Sequence, residues 1–365
     1  MLPMPLPPLT GHAGARRRLA DGRRAGNLPQ VLLVSGPQGV GKQRLALWLG
    51  QLVLCERPGD EPCGRCRMCR MVEELAHPDL HWFFPIARPK AGEPGKQVEE
   101  AADALADEIA ARRKQPMYAL PDGMAIHPIA SVRLLQQQAG LTAVEAGWRV
   151  FIIGDADRLV PQEASQEAAN AMLKLLEEPP PRSLFVLTTV DPRRLLPTMR
   201  SRTAPVRLNR LSDADVRGFL AAHLPRKLDA TELDARVSTA AGSIGQAIAA
   251  GDESAKAYTA AAQLLEAVAA GKGAALERAL RQTPYAARGE FTAMLDALAD
   301  TLGEAARASL GGSTRRAVPQ SLRHRDPAPL LRAMDLVAEA REAAWGNVNP
   351  QLLLAVLGSE LAEAL

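Results

Sequence analysis

The stretch Val31-Leu32-Leu33-Val34-Ser35-Gly36-Pro37-Gln38-Gly39-Val40-Gly41-Lys42-Gln43 passes from an apolar run through a glycine-rich turn and into Arg44-Leu45-Ala46-Leu47-Trp48-Leu49. It predicts a buried strand, a phosphate-binding loop and a helix. Gly36, Gly39 and Gly41 let backbone N–H groups curl around a phosphate without a Cβ in the way. The helix start adds the positive end of its dipole, and Lys42 brings a point charge. The pattern G-x-x-x-x-G-K-[ST] runs from Gly36 to Lys42, but Gln43 stands where a hydroxyl would bind Mg²⁺. An amide is a poor replacement, so the loop reads either as a working nucleotide site or as a nucleotide fold kept for its shape.

With 365 residues the chain is long for one core and predicts two or three domains. Apolar residues make up 47% and charged residues 23%, which excludes a disordered chain. The net charge of +3, from 44 basic and 41 acidic residues, gives no global field for nucleic acid, so any DNA contact is local. No apolar run approaches the roughly 20 residues that span a bilayer. Met1-Leu2-Pro3-Met4-Pro5 lacks the layout of a signal peptide. The expectation is a cytoplasmic protein with no membrane partner.

All four cysteines, Cys55, Cys63, Cys66 and Cys69, fall in one C-x₇-C-x₂-C-x₂-C segment. Four thiolates suit a closed tetrahedral zinc site, in which the metal staples a loop too small to have its own core. An iron–sulfur cluster and disulfides are the alternatives, the latter disfavoured in a reducing compartment. With four protein ligands the site is structural, and residues 55–69 read as a zinc module presenting Arg65, Arg67 and Arg70. His77 in His77-Pro78-Asp79 reads as a turn residue rather than a ligand. A second basic group, Arg16, Arg17, Arg18, Arg23 and Arg24, lies on a predicted helix before the first strand. Either group is a candidate anion or DNA contact.

Residues 80–85 read as a second strand, and 87–121 as a mostly solvated surface insertion around a helix at 98–113. A helix from Ile129 precedes the strand Arg149-Val150-Phe151-Ile152-Ile153, followed by Gly154-Asp155-Ala156-Asp157. An ATPase of this kind needs two adjacent carboxylates here, one for Mg²⁺ and one to activate water. The sequence does not supply such a pair, which together with Gln43 points away from hydrolysis. A helix over 163–176 is stopped by Pro179-Pro180, and Leu184-Phe185-Val186-Leu187-Thr188-Thr189 reads as another buried strand. Apolar strands separated by helices mean a parallel sheet covered on both faces, so residues 1–210 form one P-loop α/β domain.

The chain resembles the delta-prime family of bacterial clamp-loader subunits, AAA+ proteins of DNA polymerase III. The residues that carry the resemblance are Gly36 to Lys42, the four cysteines, His77-Pro78-Asp79, Asp155-Ala156-Asp157, the run Asn170-Ala171-Met172-Leu173-Lys174-Leu175-Leu176-Glu177-Glu178-Pro179-Pro180, and Ser201-Arg202-Thr203. In that family a serine–arginine–cysteine stretch aims an arginine at a neighbour's ATP, which makes Arg202 the matching trans arginine finger. Thr203 stands in place of the cysteine. The resemblance implies DNA replication as the setting, with gamma/tau motor subunits and the delta subunit as partners. The sliding clamp and primed DNA would be reached through the complex.

Beyond residue 210 the chain turns helical. Residues 211–255 resemble the small AAA+ lid, where active ATPases often place a nucleotide-touching arginine near the position of Gln246. Residues 256–365 are rich in Ala and Leu, and their twelve acidic and twelve basic residues cancel. They read as a helical oligomerisation module, for which the resemblance implies a collar; Gly311 to Pro329 reads as a connection. The expectation is a non-hydrolysing stator subunit with structural zinc, whose loop binds ATP without cleaving it or not at all. Two alternatives are an active ATPase motor and a zinc-stapled DNA-binding adaptor.

Overall fold

The computed structural model describes residues 6–365 except 91, 118–124, 146, 161–165, 225–226, 250–251, 283–289, 313, 315–317 and 345–347; for 252–255 it describes the backbone alone. The described chain divides into two compact units, residues 1–229 with 242–248, and residues 230–241 with 249–365.

In the first unit, α1 (Ala13–Arg24) leads to β1 (Val31–Ser35) and α2 (Lys42–Leu54). Then come α3 (Arg67–Glu73), β2 (Leu80–Phe83), α4 (Pro94–Lys114), α5 (Ile129–Ala139) and β3 (Arg149–Ile153). After these follow α6 (Glu167–Glu177), β4 (Ser183–Thr189), α7 (Pro197–Arg200), β5 (Ala204–Arg207) and α8 (Asp213–His223). The strands form one five-stranded sheet in the order β2-β3-β4-β1-β5, with every pair parallel. Parallel neighbours need crossovers, and the helices between them cover both faces. That is why β3 and β4 are buried at every position. Phe151 and Phe185 stack at 4.9 Å between them, each fully buried side chain contributing about 2–3 kcal/mol. The predicted α/β sheet is the observed one.

Helix α2 lies on this sheet with little clearance. A Cβ at Gly50 would sit 3.0 Å from Leu80 Cδ1 and 3.2 Å from Val150 Cγ1, so a larger residue there would have to push these side chains aside by a few tenths of an ångström. Asp79 accepts hydrogen bonds from the backbone N–H groups of Val144 (2.7 Å) and Glu145 (2.8 Å), tying down the chain that enters β3. His77 accepts from the Asp79 N–H at Nδ1 (3.0 Å) and places Nε2 against Met68 Sδ (3.2 Å). Both contacts are those of a turn residue.

Segment 87–121 is more than a solvated insertion. Helix α4 buries Val98, Ala101 and Leu105, and Arg112 lies over the ring of Phe84, 3.9 Å from its centroid. Residues 163–165 of the predicted 163–176 helix, 118–121 of the insertion and part of the 311–329 connection lie outside the described residues.

Ser212 caps α8, accepting from the Asp215 N–H (3.1 Å) as its capping-box spacing predicts. Helix α9 (Ala230–Ala240) falls in the second unit, whereas α10 (Ile244–Ala249) belongs to the first as far as Ile248. The rest of the second unit is α11 (Asp252–Ala269), α12 (Lys272–Leu280), α13 (Thr292–Ser309), α14 (Pro327–Ala343) and α15 (Pro350–Ala364). Its core includes Leu264, Leu295, Leu298, Leu302, Leu330, Val337, Leu354 and Leu361. At Gly358 a Cβ would lie 3.1 Å from Ala275, which lets α12 and α15 pack closely. No helix among the described residues is long and apolar enough to cross a membrane.

Candidate functional site

The glycine-rich turn adopts the backbone its composition allows. Gly39 and Gly41 have φ of 73° and 102°, in the left-handed region that disfavours side chains. Gly39 also admits the start of α10, since a Cβ there would meet Ser243 Oγ at 2.3 Å and Gly245 Cα at 2.9 Å. Ser243 donates to the Gln38 carbonyl (2.8 Å), and Gly245 N–H donates to the Gly39 carbonyl (2.9 Å). Gln246, whose own N–H bonds to Ser243 Oγ (3.1 Å), belongs to the same junction. On the other side, His12 donates from Nε2 to the Val40 carbonyl (2.7 Å).

Lys42 is buried and donates to the carbonyls of Gly36 (2.9 Å) and Pro37 (2.8 Å). Burial brings its pKa down to about 8, against the attraction of Asp155 and Asp157. Gln43 donates from Nε2 to Asp155 Oδ2 (3.1 Å), linking the start of α2 to the end of β3. Asp155 has φ 49°, and burial with the neighbouring Asp157 raises its pKa. Asp157 is buried, accepts from Thr189 Oγ1 (2.8 Å) and lies 3.7 Å from Arg194. The two acids are therefore held by protein groups, and Asp155 is met by the amide of Gln43. His127 donates from Nε2 to the Gly154 carbonyl (2.7 Å), and its complete burial pushes its pKa down to about 4.

A cavity of about 120 Å³ opens beside the loop. Its charged lining residues are Lys42, Arg44, Arg112 and Asp155, three cations against one acid. Its apolar wall includes Leu6, Leu9, Met117, Phe219, Ile244 and Ile248. Arg44 donates to the Pro116 carbonyl (2.8 Å), and burial followed by repulsion from Arg112 brings its pKa down to about 10. Sequence reading missed both arginines. Arg44 stands two places after Lys42 and was findable in the first turn of α2. Arg112 was not, because nothing in the sequence says that α4 ends at the loop.

The four cysteines converge as their spacing predicts. All are free thiols, and their Sγ atoms lie within 4.8 Å of one another. A tetrahedron with metal–sulfur bonds of about 2.3 Å has edges of about 3.8 Å, so this donor set fits a four-thiolate metal. The pairs Cys55–Cys66 and Cys63–Cys69 stand at 4.0 and 3.9 Å. Backbone N–H groups of Cys63, Cys66 and Cys69 point at the sulfurs of Cys55, Cys63 and Cys66, each at 3.4 Å. N–H groups of Arg65 and Cys66 bring the Cys63 pKa down to about 6, whereas burial raises that of Cys55 and of Cys69. The loop is moored to its surroundings by Arg16–Glu61 (3.2 Å), Arg24–Asp60 (2.7 Å) and Trp48 Nε1 donating to Glu61 (2.6 Å).

These contacts bear on the basic residues too. Arg16 and Arg24 are engaged with the loop's acids, Arg67 grips Glu145 with two bonds (2.8 and 2.9 Å), and Arg70 donates to the Arg65 carbonyl. Much of the arginine suspected of DNA contact thus holds the fold together. Arg202 follows α7 on the surface, donates to the Thr198 carbonyl (2.7 Å) and pairs with Glu177 at the end of α6.

Residues 11–212 match the family described as DNA polymerase III, delta subunit. The chain is 29% identical over 206 residues to DNA polymerase III subunit delta' of Bacillus subtilis (strain 168), covering 55% of this chain and 50% of that protein. It is 29% identical over 186 residues to subunit delta' of Escherichia coli (strain K12), covering 51% and 44%. With DNA polymerase III subunit tau of Salmonella typhimurium (strain LT2) identity is 30% over 245 residues, covering 64% and 32%. The chain thus spans about half the length or less of these relatives. Among solved structures, a DNA polymerase III gamma subunit-related protein from Thermotoga maritima is 18% identical, with a TM-score of 0.28 over 79% of this chain and 97% of that one.

Proposed function

We propose that this chain, which belongs to the DNA polymerase III delta-prime family of clamp-loader subunits, is a stator that holds the AAA+ architecture without hydrolysing ATP. The observation that carries the reading is the Gln43–Asp155 hydrogen bond. It joins the two positions that would have to share Mg²⁺ in a working ATPase: the amide replaces the hydroxyl ligand and its N–H engages the acid that the ion would need. Gln246 in place of an arginine supports the same reading.

Arg202 then serves in trans. It reaches the ATP of a neighbouring gamma/tau motor subunit, where its planar guanidinium offsets charge on the terminal phosphate. Residues 211–255 act as the lid and 256–365 as the collar that holds motor and delta subunits in a ring, which places the sliding clamp on primed DNA. Cys55, Cys63, Cys66 and Cys69 hold zinc, which supplies a fixed crosslink between them and no catalysis.

The test mixes the full chain with gamma/tau and delta subunits and follows assembly and ATP turnover. Arg202→Ala should leave assembly intact and lower turnover by roughly the 10³-fold expected for a lost arginine finger at each site it serves. Mg²⁺-dependent turnover by the isolated chain, abolished by Lys42→Ala, would instead identify a motor.

A further inference from the structure

Three arginines of α1 turn towards the cysteine segment, and the segment meets only two of them with acids. Arg16 and Arg23 lie seven positions apart on one face of the helix, with the buried Ala20 between them. Arg16 pairs with Glu61 (3.2 Å) and Arg24 with Asp60 (2.7 Å), so the helix is held against the segment near its start and at its end. Arg23 is half-buried between those two pairs. Among the described residues no carboxylate pairs with it; its electrostatic partner is the sulfur of Cys55, the buried residue that closes α2.

A half-buried cation loses hydration, and that loss needs an opposite charge to offset it. Four neutral thiols offer none. Four thiolates around a divalent ion carry two net negative charges, and the backbone N–H groups aimed at the sulfurs are neutral donors that leave this charge in place. The segment's own cations, Arg57, Arg65, Arg67 and Arg70, are exposed, where water and salt screen them. We infer that Arg23 is the counter-charge of the four-thiolate metal centre, so that metal occupancy and the docking of the end of α1 support each other. Linkage makes the two effects equal: whatever factor the docked Arg23 adds to metal affinity, bound metal adds to the docking equilibrium. This rests on reading the four cysteines as a metal site, and adds a residue outside their segment on which its affinity depends.

The experiment loads the full chain with Zn²⁺, withdraws the metal with a competing chelator, and repeats the titration with Co²⁺, whose visible spectrum reports the ligand set. Arg23→Gln should weaken metal affinity by about tenfold, the lower end for a lost outer-shell partner, and Arg23→Lys should recover part of it. Arg17→Gln, at an exposed position of the same helix, should change nothing. The Co²⁺ spectrum should remain that of four thiolates in every variant, and the Arg23→Gln deficit should shrink as salt is raised. Removing the metal should accelerate amide exchange around Arg23 in the unaltered chain and have less effect in Arg23→Gln. A cation in the last turn also suits the helix dipole, and that role alone would lower the stability of metal-free and metal-loaded protein alike while leaving affinity unchanged. Equal affinity in Arg23→Gln would therefore overturn this inference and leave the metal site standing, whereas a chain that takes up neither Zn²⁺ nor Co²⁺ would overturn both.

Discussion

Arg202 and Glu177 form an ion pair that joins the turn after α7 to the end of α6. Both side chains are partly exposed, at 32% and 45%, so the pair is a weak restraint worth under about 1 kcal/mol. It holds the guanidinium near the surface without burying it. Glu177→Gln should therefore release Arg202 and raise the turnover of the mixed assembly, by up to about fivefold, at subsaturating amounts of this chain. Titrating the variant against the motor subunits checks this; unchanged or lower stimulation would mean that Glu177 positions Arg202 rather than restraining it.

The bond between Gln43 and Asp155 predicts a cost for its loss. Asp155 is half-buried beside the buried Asp157, so Gln43→Ala leaves a carboxylate short of a donor and should destabilise the first unit by about 1 kcal/mol in denaturant unfolding. The same variant should not gain ATP turnover, because it removes an obstacle without adding an ion ligand.

Gly39→Ala tests the junction between the loop and α10. The new methyl would meet Ser243 Oγ at 2.3 Å on a backbone with φ 73°. Strain of this kind costs about 1–3 kcal/mol. The thermal midpoint should fall by several degrees, and amide exchange at Gly245 and Gln246 should accelerate.

Removing one thiolate should act on stability rather than chemistry. Metal analysis should return one zinc per chain and a colourless protein, and Cys63→Ser should lose the metal and lower the thermal midpoint of the first unit. Iron with visible absorption would replace zinc in the account.

Acid should weaken the fold through the buried His127 and the half-buried His81. Burial lowers the pKa of His127 and of His81 from 6.5 to about 4. Between those values the unfolded chain holds more protons than the folded one, so stability is complete above pH 6.5 and declines as pH falls towards 4. For His127 the loss reaches about 3 kcal/mol, taking 1.36 kcal/mol per unit. Unfolding free energies across this window should show the slope, and His127→Asn should flatten it.

The sheet was legible because β1, β3 and β4 are continuous apolar runs, and only a buried parallel strand tolerates such a run without alternation. The thiol cluster was legible because its ligands are local in sequence. The partner of Gln43 was not, since Asp155 lies 112 residues away and its αL turn leaves no mark in composition. Nor was Arg112: α4 hides its buried side as Val98, Ala101 and Leu105 within a Lys- and Glu-rich segment, so it read as solvated. The arginines of α1 misled in the other direction. Charge density suggested a nucleic-acid contact, but only the fold shows that Asp60 and Glu61 come to meet Arg24 and Arg16.

Helix α2 begins at Lys42 and ends beside Cys55, about 20 Å away at 1.5 Å per residue. Trp48 is fastened to Glu61 at mid-helix, Gly50 beds the following turn on Leu80 and Val150, and the loop carbonyls hold Lys42 at the start. A rod gripped along its length cannot tilt at one tip without tilting at the other. The cysteine loop and the lysine thus sit at opposite ends of one braced axle.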